Sequence, residues 1–220
     1  MSSLLTGLIS YYAMEGNGND SVGTNNATPV NVNFSLANGK VFQGGKFIWG
    51  SSTMNTGSVV GSFPSGNSSR TTCMWLRTTS TNVMVFLPYG TDAGIPNQDW
   101  AYLVVGGNIG LGLGSGGGFV SGSVVNDGLW HFIVATFDGS VVRLYKDNVL
   151  VGSQGNTLNT INTTLKFQAF QLDGDLDEVG YWNRVLTPTE LTDLYNSGNG
   201  ITYPFTPPIT DSPSFLLNFI

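Results

Sequence analysis

The sequence predicts an all-β antiparallel sandwich, and three observations carry that reading. The first is residues 128–152, GLWHFIVATFDGSVVRLYKDNVLVG, where three short runs of alternating side chains are joined by two tight turns. Ile133, Ala135 and Phe137 alternate with Val134 and Thr136 before Asp138-Gly139, and Val142, Leu144 and Lys146 alternate with Val141, Arg143 and Tyr145 before Asp147-Asn148. A period of two marks a half-buried strand. Asp-Gly between such runs is the strongest short-range hairpin signal, because both central residues of a type I′ turn need positive φ, and Asp-Asn is a weaker version. The second observation is the even spacing of short strand-like runs along the chain, with turn residues between them. The third is composition: 30 glycines and only 10% charged residues describe a turn-rich chain with a neutral polar surface.

Taken in order, residues 8–14 read as the first strand and 15–29 as a polar loop rich in Asn and Gly. Strands are expected near 32–36, 40–43, 47–49, 58–62, 70–78, 82–87 and 101–105. A glycine-rich hairpin over 106–123 follows, then strands at 130–137, 141–146, 149–153, 164–171 and 175–182. One helix is expected over 188–196. Thr187 caps it, Pro188 takes the first helical position, Glu190 completes a capping box, and Leu186 and Leu191 form a staple. Leu191, Leu194 and Tyr195 make its apolar face and Gly198 ends it.

Beyond Tyr203 the strand pattern stops, because Pro204, Pro207, Pro208 and Pro213 forbid continuous helix or central strand. The expected division is a domain over 1–202 and an extended arm over 203–220. Phe215, Leu216, Leu217, Phe219 and Ile220 place five large apolar side chains in the last six residues, and the arm is expected to bury them against another protein subunit or a second copy. The alternative is that it folds back over an exposed sheet edge of its own domain.

A chain of 220 residues can bury a core without staples, and one domain suits that length. Eight Lys plus Arg against fourteen Asp plus Glu, with no basic cluster, argue against nucleic-acid and anionic-membrane partners. Cys73, the single cysteine, lies in the run TTCMWL and reads as a buried strand residue. No apolar run reaches transmembrane length. The first twenty residues carry no basic residue ahead of their apolar stretch and no small-residue cleavage pattern, so they read as structure and not as a Sec signal.

Three blocks resemble a known family. Trp130-His131, Thr136-Phe137-Asp138-Gly139 and Leu144-Tyr145-Lys146-Asp147 are similar to the "W-H-x-V-A-x-T-Y-D-G … L-Y-V-D-G" signature of laminin-G-like, concanavalin-A-like domains. Gly174-Asp175-Leu176-Asp177-Glu178-Val179 through Leu186 resembles that family's "G-x-I-D-E-V-x-x-Y-N-R-A-L". Leu8 through Asp20 resembles its opening block. The resemblance implies a two-sheet antiparallel jelly-roll with one short C-terminal helix and an extended arm, but it implies no single function. It also implies one structural Ca²⁺ shared by Asp20 and Asp177, with the Asn25 and Asn26 carbonyls as helpers, since Ca²⁺ takes six to eight oxygens. The alternative is that Asp20 and Asn26 build turns and Asp177 bonds to backbone. For His131 the resemblance implies packing or a backbone hydrogen bond.

Catalysis finds little support. A glycosidase needs two carboxylates across the scissile bond, yet the chain has three glutamates, Glu15, Glu178 and Glu190, and no E-x-D-x-x-E strand of the jelly-roll glucanases. Asp173, Asp175 and Asp177 alternate, as a metal site or a solvated edge would. A sugar would stack on an aromatic ring beside amides and carboxylates. Trp75 and Trp130 read as core; Trp100 follows a polar, turn-rich loop, so Tyr89, Asn97, Gln98, Asp99 and Trp100 form the candidate sugar site, against the alternative of a ring packed under its own loop. The expectation is a non-enzymatic recognition and structural module. It would be an exposed decoration or adhesion protein of an assembly such as a phage virion, or a secreted carbohydrate-binding lectin module, at a virion surface or outside the cell.

Overall fold

The computed structural model describes residues 2–91, 95–115, 117–168 and 170–205. The chain runs through β1 (Leu8–Tyr12), β2 (Ala27–Val30), β3 (Asn33–Ser35), β4 (Gly44–Phe47), β5 (Thr53–Thr56), β6 (Arg70–Arg77) and β7 (Met84–Gly90). It continues through β8 (Asp99–Val105), β9 (Asn108–Gly112), β10 (Gly118–Val124), β11 (His131–Phe137), β12 (Val141–Lys146), β13 (Val149–Gly155), β14 (Gly174–Trp182) and the helix α1 (Pro188–Tyr195). Eight strands form the larger sheet in the order β13-β12-β11-β6-β14-β4-β3, with β1 also paired to β14. A second sheet has the order β10-β9-β8-β7, and β2 and β5 form a two-stranded ribbon.

Alternation on the central strands separates two apolar clusters. Met74, Leu76, Ile133, Ala135, Phe137, Leu176 and Tyr181 face the smaller sheet's Met84, Phe86, Trp100, Tyr102, Ile109 and Leu111 across the main core. Cys73, Trp75, Phe132, Val134 and Trp182 point the other way, under Leu4, Leu191, Leu194 and Phe205. The larger sheet is covered on both faces, which is why every residue of β11 is buried.

The predicted meander forms, but its two turns exchange roles. Asp147 and Asn148 both take positive φ, 50° and 66°, and make the two-residue type I′ turn between β12 and β13. Asp138 does not. Its carboxylate accepts hydrogen bonds from Ser140 N and Val141 N at 2.9 and 2.8 Å, closing a longer turn around Gly139.

Other expectations shift. The ribbon strand β2 lies largely in the expected 15–29 loop and β5 in a stretch given no strand, because ATPV and TMNT show no apolar alternation. Residues 58–62 form no strand although Val60 is buried. Residues 40–43 form a turn, and 164–171 contribute only isolated bridges at Lys166 and Phe170. Helix α1 carries the full capping box at Thr187 and Glu190. Just past the expected boundary at residue 202, Phe205 is buried against Tyr11 with ring centroids 5.1 Å apart. Phe215, Leu216, Leu217, Phe219 and Ile220 lie outside the described residues.

Candidate functional site

Trp100 and Tyr89 are core residues, which corrects the expected stacking platform. Both are 0% exposed, so neither ring offers a face to a sugar. Trp100 sits on the inward register of β8, and its Nε1 donates to Thr72 Oγ1 at 3.1 Å. The Tyr89 hydroxyl accepts from Arg70 Nη1 at 2.9 Å, and burial pushes its pKa up to about 12. Arg70, itself fully buried, also donates to Thr160 Oγ1 and to the carbonyls of Gly66 and Ser68. It lies over the Tyr89, Trp100 and Phe137 rings at 5.5–5.9 Å. Gln98 and Asp99 are buried and Asn97 is half-buried at the turn before β8.

Beside this buried anchor, the edge of β7 opens into a cleft of about 530 Å³. Leu87 takes φ +53° and Pro88 follows it, producing a bulge in the β7–β8 pairing between Phe86 and Tyr89. The strand edge is tied to the 163–170 segment at three points. Val85 and Phe170 exchange backbone hydrogen bonds at 2.8 and 2.9 Å, Lys166 N donates to Pro88 O, and Thr163 Oγ1 clamps the Gly90 amide and carbonyl at 2.9 Å each. Gly90 is required here, because a Cβ at its φ of +115° would meet Gln98 O at 2.3 Å. Between the ties, the cleft is lined by Thr91, Asp99, Thr163, Thr164, Lys166 and Phe170. The Phe170 ring is half exposed. Asp99 and the adjoining Gly90 link this cleft to the expected site; Phe170 and Lys166 were read only as strand residues.

Asp20 and Asp177 build turns. Asp20 Oδ1 accepts from the amides of Tyr11, Val22 and Gly23 at 3.0–3.1 Å, and Oδ2 accepts from Ser10 Oγ and Asn25 N. Asn26 Oδ1 accepts from Asp20 N, and the Asn25 carbonyl accepts from the Tyr12 hydroxyl. Asp177 Oδ2 accepts from Lys40 N and Val41 N at 2.8 and 2.9 Å, and Oδ1 from Glu178 N. Backbone N–H groups and the Ser10 hydroxyl thus take most of the lone pairs that a cation would need. Among the described residues no group of three His, Cys, Asp or Glu side chains could hold a metal. These residues do not fit a Ca²⁺ shared by Asp20 and Asp177.

Glu190 binds Arg184 through both oxygens, and that ion pair holds its pKa down at about 2. Asp175 pairs with Arg77 at 2.8 Å. Glu178 has φ +51° at a bulge in β14 and is 1% exposed, with the Tyr11 and Thr202 side chains as the polar neighbours of its carboxyl group. Burial raises its pKa well above the usual range, and the adjacent Asp177 adds to the effect. His131 bridges Asp147 and Asp127 at 2.8 and 3.0 Å, so its partners are carboxylates and not backbone.

Residues 50–192 match the family model described as the concanavalin A-like lectin/glucanases superfamily. No curated protein matches the chain. Among solved structures it is similar to domain 4 of AbnA, a GH43 extracellular arabinanase from Geobacillus stearothermophilus, in complex with arabinotriose. The TM-score there is 0.67 at 18% identity, covering 84% of this chain and 97% of that one. It is similar to the binding domain of Paraclostridial Mosquitocidal Protein 1, with TM-score 0.65 at 16% identity over 88% of this chain and 52% of that one. It is also similar to botulinum neurotoxin type C, whose passage into cells depends on interaction with two ganglioside molecules, with TM-score 0.68 at 13% identity over 90% and 53%. The chain spans about half the length of those two toxin chains. At these identities the likeness shows the fold alone.

Proposed function

The chain belongs to the concanavalin A-like lectin/glucanase superfamily, and on that premise we propose that it is a non-enzymatic glycan-recognition module. Its site is the cleft between β7 and the 163–170 segment. The observation that carries this reading is the half-exposed Phe170 ring beside Thr91, Thr163, Thr164, Lys166 and Asp99. An apolar ring among hydroxyls and charges suits a sugar, whose C–H face stacks while its hydroxyls take hydrogen bonds. Bulge, Gly90 and Thr163 clamp tie that lining to the edge of β7.

The carboxylates support the non-enzymatic part. Hydrolysis of a glycosidic bond needs two carboxyl groups facing the sugar. Asp99 is the one acidic residue lining this cleft among the described residues. Glu190 serves the helix cap and Glu178 is buried elsewhere. A place on the exterior of an assembly such as a phage virion is the finer part of the proposal. It rests on the 10% charged composition and the apolar residues 215–220, and deletion of that tail with particle incorporation as the readout tests it.

A glycan array probed with the whole chain tests recognition. Phe170→Ala should weaken binding by about tenfold or more while the fold persists, because a central aromatic anchor typically carries that much. An array silent for the wild-type chain, or cleavage of a bound glycan, would overturn the proposal.

A further inference from the structure

A second pocket, of about 420 Å³, is lined by Glu15, Asn17, Asn19, Phe42, Thr202 and Tyr203, none of which lines the β7 cleft. Phe42 is its unusual member. The ring is 66% exposed, and its backbone sits at φ +59° in the left-handed region. A bulky side chain in that region is strained, and an exposed phenyl ring gains nothing from burial, so folding alone favours neither property. The surrounding structure nevertheless imposes both. On one side of Phe42, the amides of Lys40 and Val41 donate to Asp177 Oδ2 at 2.8 and 2.9 Å. On the other, Gln43 N donates to both Glu15 oxygens at 3.3 Å. Two carboxylates from distant parts of the chain thus hold a strained turn whose tip carries an apolar ring.

We infer that this pocket is a second carbohydrate-binding site, with Phe42 as its stacking platform, and that it takes uncharged sugars. The far wall is Tyr203, a partly buried ring fixed by Tyr11 and Phe205 at centroid distances of 6.2 and 5.9 Å. Asn17 shapes the loop, its amide donating to Glu15 O and accepting from Asn19 N. Among the described residues the Glu15 carboxylate accepts only the two long bonds from Gln43 N, so it has lone pairs left for the neighbouring hydroxyls of a pyranose or furanose ring. Selectivity follows from charge. Among the described residues no Lys or Arg lines this pocket, so Glu15 repels sialic or uronic acids, whereas the β7 cleft presents Lys166. Only the ligand class rests on the glycan-recognition reading.

The test is the full chain on an array of neutral, sialylated and uronic oligosaccharides, compared with Phe42→Ala, Phe42→Gly and Phe170→Ala. Phe42→Ala should weaken neutral glycans by about tenfold or more and leave binding at the β7 cleft unchanged. Phe42→Gly should lose the same glycans while holding or raising the melting temperature, since glycine relieves the φ strain. That separates a binding ring from a merely structural one. If Phe170→Ala abolishes all binding and Phe42→Ala none, the second site is wrong and the first reading stands. If Phe42→Ala removes neutral binding and Phe170→Ala changes nothing, the second site stands and the β7 cleft falls. Loss of sialylated or uronic glycans in Phe42→Ala overturns the selectivity.

Discussion

Arg70→Met removes the buried cation under the β7 cleft, and its cost can be worked from the bonds it breaks. Arg70 donates five hydrogen bonds, to Tyr89 Oη, Thr160 Oγ1, Gly66 O and twice to Ser68 O. Ser68 is exposed and Gly66 half-buried, so water replaces those partners. Tyr89 and Thr160 are buried and recover nothing, at about 1–3 kcal/mol for each stranded group. Relief from burying a charge offsets part of this, because well-packed apolar replacements of buried ions are often tolerated. The expected loss is roughly 2–4 kcal/mol, or a fall of about 4–16 °C in a chain of this size. Urea unfolding at fixed pH measures it. Arg70→Met with Tyr89→Phe should cost less than the sum of the two single changes, because one stranded hydroxyl is then absent. A loss under about 1 kcal/mol, or additive single effects, would refute the assignment of these donors to stability.

Two further outcomes concern charge. Burial raises Glu178 well above its usual 4.5 and lifts Asp177 from 3.8 to about 7, and the carboxylate partners raise His131, so the folded chain holds protons that the unfolded chain releases first. The stability these groups contribute is therefore fully present below their unfolded values and is lost as pH rises. The melting temperature should decline between pH 5 and 8, and Glu178→Gln should flatten that decline; a rise over the same range would contradict it. Because backbone amides already satisfy Asp20 and Asp177, calcium added after EDTA should leave the melting temperature unchanged. A calcium-dependent increase would mean that the ion binds the native state and that those turns open to admit it.

The meander from β11 to β13 was legible because its information is local: alternating side chains and two turn dipeptides. The same logic reaches Trp100, where Trp100, Tyr102 and Val104 alternate inward on β8. The polar loop before them drew attention away from that period. Phe170 and Phe42 were not legible in this way. Phe170 is placed by its backbone pairing with Val85, 85 residues earlier in the chain. Phe42 is exposed because Glu15 and Asp177 converge on one turn, and no window of sequence contains all three. The turn between β11 and β12 shows a smaller limit: a side chain that satisfies its own backbone can override the dipeptide preference.

The pairing of β1 with β14 imposes an order of events during synthesis. Leu8–Tyr12 lies against Val179–Trp182, and Trp182 Nε1 donates to Leu4 O at 2.7 Å. The first strand therefore has its sheet partner about 170 residues downstream. At about 5–20 residues per second, a ribosome takes roughly 10–30 s to deliver that partner. Through that interval Tyr11 and Tyr12 lack the strand that covers them, whereas β11, β12 and β13 can pair as soon as they emerge. Until β14 is made, a nascent chain of this protein thus carries an unclaimed apolar strand, and a holdase would find its binding segment there.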